Sequence, residues 1–294
     1  MNGFLNLHKP AGLTSHDCVA RLRRRLGLKR IGHGGTLDPA ATGVLPMAVG
    51  RATRLLQFLP AQKAYRATVR FGVRTDTDDL EGAVLLQAAA PHLTLAEVSP
   101  HLAAFQGTIQ QIPPKYSAIQ VDGRRLYDLA RAGEPVAVPM RTVEIYGTEI
   151  LGWGPGDFPE LDVAIACGSG TYIRAIARDL GELLGVGGTL AALVRTESGG
   201  FNLADSITLE DVTPEGLISP AIALGHLPAV ELDSHQAADW GHGRPVIVPA
   251  SEPMLERSDY VLVSAADEFL GVAQLKMAEG GLRLVPKVVW PPTT

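Results

Sequence analysis

The 294 residues are enough for about two domains, and a hydrophobic fraction of 46% beside 19% charged residues argues against disorder on a large scale. No run approaches the ~18 apolar residues of a membrane helix, the first residues do not resemble a signal peptide, and two isolated cysteines indicate neither a disulfide framework nor a structural zinc site. We therefore expect a cytoplasmic protein with no membrane association and no metal.

The net charge of −5 hides a strong asymmetry along the chain. Residues 1–75 hold 13 Lys or Arg against two Asp, whereas the remaining residues hold 13 Lys or Arg against 29 Asp or Glu. A basic segment of this size hints at a polyanionic partner such as a nucleic acid. The alternative is that arginines of the basic segment pair with acids from later in the chain, and charge alone does not separate the two.

The first predicted elements are a short strand and an amphipathic helix. Gly3 to Leu7 is apolar and runs into a Pro-containing turn. Thr14 followed by Asp17 has the form of a capping box, and apolar residues at helical spacing continue until Gly27. The outer face of this helix carries arginines at positions 21, 23, 24 and 25, which is typical of either a solvated or a phosphate-contacting face.

One acid stands alone in the basic segment. Between Cys18 and Arg74 there are twelve Lys or Arg, and Asp38 is the only acid. We expect it to be ionised, because nearby positive charge favours the charged form. The glycines before it and Pro39 after it indicate a loop that presents a side chain, and His33 precedes it by five residues. The alternative is an ordinary turn in which Asp38 accepts hydrogen bonds from local amides.

After this loop the sequence predicts a buried segment at Val44 to Val49, a short helix at Ala52 to Leu59 and an alternating strand at Ala64 to Phe71. The alternation points Tyr65 inward, either as a core residue or as a platform for a base. The acidic turn from Thr75 to Gly82 lacks the full ligand set of a calcium loop. Further on, Thr94 with Glu97 predicts a helix to about Ala104.

Basic residues alternate with tyrosines from Gln110 to Tyr127, which suits looped nucleic acid, although an ordinary surface loop fits equally well. Strands are predicted at Arg141 to Ile150 and Leu161 to Ala166, and Thr171 is predicted to cap the helix that follows. The turn from Gly168 to Gly170 lacks the third glycine of a dinucleotide-binding fingerprint and is not a P-loop, so we interpret it as structural.

Arg174 lies in the first turn of that helix, where a cation faces the positive end of the helix dipole at a cost of some tenths of a kcal/mol. An anionic partner such as Asp38 or a phosphate would offset this cost. The alternative is a solvated Arg174 on an outer face where Arg178 pairs with Glu182. Beyond a Pro- and Gly-rich connector, short strands from about Ala229 predict a small β-rich module.

The chain resembles the bacterial tRNA pseudouridine synthase B family over nearly its whole length. The motifs that carry the resemblance are HKPAGLTS at 8–15, GHGGTLDPAATGVLP at 32–46, KAYRATVRFG at 63–72, PPKYSAIQVDGRRLYDLAR at 113–131 and GTYIRAIARDLGE at 170–182. In this family the residue after the His is often Thr, whereas this chain has Gly34, a departure that bears on loop rigidity more than on chemistry.

The resemblance implies an α+β pseudouridine synthase fold with a mixed, largely antiparallel central sheet flanked by helices. It implies a catalytic domain at 1–228, with an RNA-binding insertion at about 113–140, and a small β-rich PUA-like RNA-binding domain at 229–294. The implied activity is isomerisation of the T-loop uridine at position 55 of tRNA to pseudouridine by base flipping. The implied partner is the T-arm stem-loop of tRNA. No cofactor and no protein partner are implied, and a monomer would suffice for the reaction.

The resemblance also implies roles for individual residues. Asp38 would be the essential catalytic aspartate, Tyr65 the aromatic that stacks on the target base and Arg174 the partner of the aspartate. Four further residues would contact the RNA or line the base pocket: His33, Lys9, Arg54 and Leu193. Whether Asp38 acts at C1′, at C6 or on a sugar proton stays open. The competing hypotheses are a non-catalytic RNA-binding scaffold and an RNA methyltransferase using the Gly168 to Gly170 turn.

Overall fold

The computed structural model describes residues 1–117, 120–121, 124–125, 138–249, 259–279 and 281–291. Much of the predicted RNA-binding insertion, including Tyr127, therefore lies outside the described residues. Within the described part of the chain, no helix is long and apolar enough to cross a membrane.

The described chain is built mainly from strands. In chain order they are β1 (Gly3–Lys9), β2 (Ile31–His33), β3 (Thr42–Val49), β4 (Lys63–Phe71), β5 (Val73–Thr75), β6 (Val84–Gln87), β7 (Gly107–Gln111), β8 (Gln120–Val121), β9 (Arg124–Arg125), β10 (Arg141–Gly154), β11 (Glu160–Cys167), β12 (Gly188–Ser198), β13 (Phe201–Asn202), β14 (Ala229–Glu231), β15 (Val246–Val248), β16 (Tyr260–Ala265), β17 (Glu268–Ala278) and β18 (Gly281–Val289).

Nine of these strands form one mixed sheet. Its order is β1-β3-β12-β4-β11-β10-β7, with β2 paired to β3 and β13 paired to β12. All pairs are antiparallel except β3 with β12. The predicted alternation along β4 is confirmed, since Tyr65, Ala67, Val69 and Phe71 are all buried on one face. That face belongs to the core that also contains Ile173, Ile176, Ala177 and Leu180 of the helix predicted after Gly170.

The helices are short, and the first two begin where the sequence predicts. They are α1 (Ser15–Leu26), α2 (Leu95–Val98), α3 (Ile173–Leu183), α4 (Pro220–Ala223) and α5 (Ser234–Gly241). The capping boxes at Thr14 and Thr94 are both present. The cap at Thr171 is wrong: Tyr172 is the N-cap of α3, and the Thr171 hydroxyl instead donates to the carbonyl of Gly168. The predicted helix at Ala52 to Leu59 is two 3-10 turns, Gly50–Arg54 and Leu56–Phe58.

The C-terminal strands form a second, five-stranded sheet in the order β14-β16-β17-β18-β15, which confirms the predicted β-rich module. The module has a core of its own around the fully buried Trp240. One of its faces also joins a core shared with the first sheet, where the rings of Phe58 and Tyr260 lie 5.1 Å apart. The domain division at 228/229 stays a prediction.

Candidate active site

A cleft of about 250 Å³ opens where the loop after β2, the start of β4, β12 and the N-terminus of α3 meet. Its walls include Asp38, Tyr65, Arg174 and Leu193, four of the residues singled out from the sequence. The fold thus brings together groups that are up to 155 positions apart in the chain, between Asp38 and Leu193.

The loop that carries Asp38 is fixed to the core by its backbone. The buried Ser15 hydroxyl accepts from the amide of Leu37 at 2.9 Å and lies 3.2 Å from the carbonyl of the same residue. Gly43, at φ +105°, lies so close to β12 that a Cβ there would be 2.2 Å from the carbonyl oxygen of Arg195. No larger residue fits this approach. The loop therefore holds Asp38 in place while its side chain, 40% exposed, faces the cleft.

Arg174 is held from behind and presents one edge to Asp38. Its side chain is 7% exposed, and its Nη1 and Nη2 donate to the carbonyls of Thr77 and Tyr116, each at 3.0 Å. Its Nε lies 3.1 Å from Asp38 Oδ2, at ion-pair distance although without hydrogen-bond alignment. Its Nη1 lies 3.3 Å from Asp79 Oδ2. The expectation that Arg174 has an anionic partner is confirmed, with two carboxylates in place of one.

The acidic turn at 75–82 supplies the second of these carboxylates, Asp79, a role that the sequence analysis missed. Next to Asp79, Asp78 Oδ2 lies 2.8 Å from Nη1 of Arg178. Burial raises the pKa of Asp78, and the Arg178 guanidinium opposes that shift. The alternative pairing of Arg178 with Glu182 is wrong, since Arg178 contacts Asp78 and Asp179. The turn and the first two turns of α3 are therefore joined by two arginine–carboxylate pairs.

The charge asymmetry is resolved partly by pairing within the fold. Arg70 and Arg74 of the basic segment pair with Glu160 at 2.7 Å and Glu182 at 3.5 Å. The cations of α1 and the turn after it behave differently: within the described residues, none at positions 21–30 forms a salt bridge, and all are exposed. Pairing within the fold therefore accounts for part of the basic segment, and a polyanionic partner for the remaining cations stays a prediction.

Tyr65 lies on the wall of the cleft above a second arginine that the sequence analysis did not find. Arg195 is fully buried and donates to the carbonyls of Val44 at 2.7 Å, Thr36 at 3.3 Å and Gly35 at 3.2 Å. Its charge also lies beside the Tyr65 phenol. Burial raises the pKa of Tyr65 and the Arg195 charge opposes this, so the phenol is neutral at neutral pH. The one available sequence signal was the position of Arg195 two residues after Leu193.

Three predicted RNA contacts do not line the cleft. Lys9 is fully buried and donates to the carbonyls of Pro10, Leu13 and Pro39 at 2.9, 2.6 and 3.0 Å. The prediction that it lines the pocket therefore needs correction. Its ammonium fixes the backbone next to Asp38. The half-buried His33 lies edge-on to His16. Burial lowers the pKa of His33, and the nearby His16 and Arg195 lower it further. Arg54 is exposed on the surface.

The sequence matches three family models in succession. The first is the TruB family pseudouridylate synthase (N terminal domain), over residues 23–173. The tRNA pseudouridylate synthase B C-terminal domain follows over residues 174–218, and pseudouridine synthase II TruB, C-terminal, over residues 228–289.

The chain belongs to the TruB family of pseudouridine synthases.

The names of its relatives agree with this family assignment. It is 57% identical over 300 residues to the tRNA pseudouridine synthase B of Trichormus variabilis, and 56% identical over 298 residues to that of Gloeobacter violaceus, with 99% of each chain covered in both cases. The family consists of RNA uridine isomerases, so this TruB protein is an enzyme of that class.

Solved structures confirm the predicted α+β pseudouridine synthase fold. The TruB chain resembles a chain of a Cbf5-Nop10-Gar1 complex with a TM-score of 0.75 and 28% identity, covering 98% of this chain and 85% of that chain. It also resembles a chain of an H/ACA RNP bound to a substrate RNA containing 2′-deoxyuridine, with a TM-score of 0.74, 26% identity and coverage of 99% and 85%.

Proposed function

We propose that this protein isomerises the uridine at position 55 in the T-loop of tRNA to pseudouridine, with Asp38 as the catalytic carboxylate. The relatives that match it from end to end bear the name tRNA pseudouridine synthase B. The observation that carries the chemical part is the 3.1 Å contact between Asp38 and the buried guanidinium of Arg174 at a cleft walled by Tyr65.

The reaction needs a base that has left its stack. The N-glycosidic bond must break, the ring must turn, and C5 must bond to C1′, so the nucleotide has to be flipped at a cost of a few kcal/mol. Tyr65 offsets part of this cost by stacking on the flipped uracil, and a neutral phenol suits that role. Leu193, on the same cleft, contributes apolar contact to the base.

Asp38 and Arg174 form the reacting pair in this proposal. The guanidinium holds the carboxylate in its orientation towards the cleft when RNA covers the cleft and excludes water. Because the other nitrogens of Arg174 are already engaged by Thr77, Tyr116 and Asp79, the side chain cannot turn away when the substrate enters. The cleft thus supplies a preorganised carboxylate.

The exposed face of α1 is the RNA-binding surface in this proposal. Arg21, Arg24 and Lys29 are exposed and form no salt bridge with any described residue. Phosphate contacts made by such cations release counterions and give affinity a steep salt dependence. We propose a monomer acting on the T-arm without another protein, in the cytoplasm where tRNA is modified.

The test is turnover of an unmodified tRNA transcript by the purified protein without additives. We expect pseudouridine at position 55, detected by carbodiimide derivatisation of the pseudouridine before mass spectrometry of nuclease fragments, and no product in a transcript with cytidine at that position. Tight tRNA binding without turnover would favour the scaffold hypothesis. Activity that requires S-adenosylmethionine, with a gain in substrate mass, would favour the methyltransferase. An isomerisation leaves the mass of the transcript unchanged.

A further inference from the structure

A lysine lies on the cleft wall beside the stacking tyrosine. Lys63 is the first residue of β4 and shares the cleft-facing side of that strand with Tyr65. Two residues along a strand span about 6.6 Å, a step comparable with the width of a pyrimidine base. On its other side, Lys63 approaches the Asp38 loop: a Cβ added to Gly35 would lie 3.5 Å from the lysine Nζ. The ammonium therefore lies between the stacking platform and the catalytic loop.

This ammonium has no anionic partner among the described residues, where the Lys63 side chain forms neither a salt bridge nor a hydrogen bond. Its charged neighbour is another cation, Arg195. Burial lowers the pKa of Lys63, and the Arg195 charge lowers it further. The contrast with Lys9 is sharp, since that buried lysine donates to three carbonyls. A half-buried ammonium without partners costs free energy unless something that enters the cleft pairs with it.

The reaction itself creates a negative charge on the base. If Asp38 attacks C1′ or removes a sugar proton, the N1–C1′ bond breaks and its electron pair stays on the uracil, where O2 and O4 share it. If Asp38 adds to C6, the C5–C6 electron pair moves towards O4. In every case the N1–C1′ bond breaks and C5 bonds C1′, while any bond to Asp38 breaks again or any sugar proton taken by Asp38 returns. The C5 proton leaves and N1 gains a proton, so the product is an isomer.

We propose that Lys63 is a catalytic residue whose ammonium donates to a carbonyl oxygen of the flipped uracil and stabilises the charge that this oxygen gains. The inference rests on the proposed function and deepens it by assigning the group that receives the departing electron pair. A donor of this kind binds the transition state more tightly than the ground state, so its removal lowers kcat and leaves binding nearly unchanged.

The alternative use of such a lysine is a contact with a phosphate of the RNA, and the two uses separate experimentally. The variants are Lys63→Gln and Lys63→Arg. The matched control is Arg66→Gln, because Arg66 lies on the same strand, is exposed and does not line the cleft. We expect Lys63→Gln to lose about 100- to 1000-fold in kcat, with a tRNA Kd within about twofold of wild type and an unchanged salt dependence of binding. Lys63→Arg should recover part of the loss, and Arg66→Gln should keep wild-type kcat.

A Lys63→Gln protein that keeps its kcat would overturn the proposal. So would a salt slope lower by about one with kcat preserved, since that result marks a phosphate contact. A second measurement needs no variant and compares wild-type turnover of transcripts with uridine, 2-thiouridine or 4-thiouridine at the target. Turnover should be slower for the thio-substituted base whose sulfur replaces the oxygen that Lys63 contacts, because sulfur is a weaker acceptor. Equal rates on all three substrates would contradict the assignment. If the wild-type enzyme does not convert uridine at all, the proposed function fails first.

Discussion

Replacement of Arg174 by Ala separates catalysis from RNA binding. At 3.1 Å and an effective dielectric constant of about 20, the attraction between the guanidinium and Asp38 is about 5 kcal/mol before desolvation. The Asp38 side chain is 40% exposed, so solvent screens part of this, and we expect a loss of about 2–4 kcal/mol in transition-state stabilisation. That loss corresponds to roughly a 30- to 1000-fold lower kcat.

Binding should respond differently. Arg174 is 6% exposed and its nitrogens already face Thr77, Tyr116 and two carboxylates, so it does not reach the phosphates of the RNA. We expect the Kd for tRNA and its salt dependence to stay within about threefold of wild type. The assay is single-turnover pseudouridine formation beside equilibrium binding of the same transcript. Glu160→Gln, which removes a partly exposed ion pair with Arg70 outside the cleft lining, is the control and should change neither. An equal drop in kcat and affinity for Arg174→Ala would refute the reasoning, because it would make Arg174 a phosphate contact.

Three further predictions concern the groups around the cleft. Tyr65→Phe keeps the stacking ring but removes the phenol oxygen that lies beside buried Arg195, so thermal denaturation should show a loss of about 1–3 kcal/mol. We expect kcat to change less than tenfold, and loss of all turnover in the folded protein would assign proton chemistry to the phenol. Lys9→Met should lower the free energy of unfolding by about 3–5 kcal/mol and leave the tRNA affinity per folded molecule unchanged. Weaker tRNA binding by a variant of wild-type stability would instead support the prediction that Lys9 contacts the RNA directly. Turnover should fall as pH rises through the lowered pKa of Lys63, because the ammonium loses its proton. The facing acids Tyr65 and Cys167 stay neutral, because burial raises their pKa values. An alkaline limb of the pH–rate profile that does not move to higher pH in Lys63→Arg would contradict this prediction.

Local sequence signals located the elements that depend on neighbours in the chain. The capping box at Thr14 and the alternation along β4 are set by spacings of two to four residues, and the structure has both. A cation in the first turn of a helix predicts an anionic partner, either Asp38 or a phosphate, and the structure has Asp38 there together with Asp79. That argument works because the cost is local even though the partner, Asp38, is far away in the sequence.

The residues that were missed or misplaced depend on burial, which no short spacing encodes. Arg195 looks like any arginine in a strand until β3 and the Asp38 loop cover it. Lys9 follows a strand and precedes Pro10, a setting in which a lysine is normally solvated, yet three carbonyls converge on it. The acids of the turn at 75–82 find their arginines only when α3 packs beside them.

The most direct test of the central claim is the isosteric substitution Asp38→Asn, which removes the charge of the carboxylate while keeping its shape. Unmodified tRNA transcript is incubated with wild type, Asp38→Asn and the control Asp267→Asn, whose Asp lies in the turn between β16 and β17. The account predicts no detectable pseudouridine with Asp38→Asn, wild-type turnover with Asp267→Asn and tRNA binding retained by both. Pseudouridine formation by Asp38→Asn at a rate near that of wild type would contradict it.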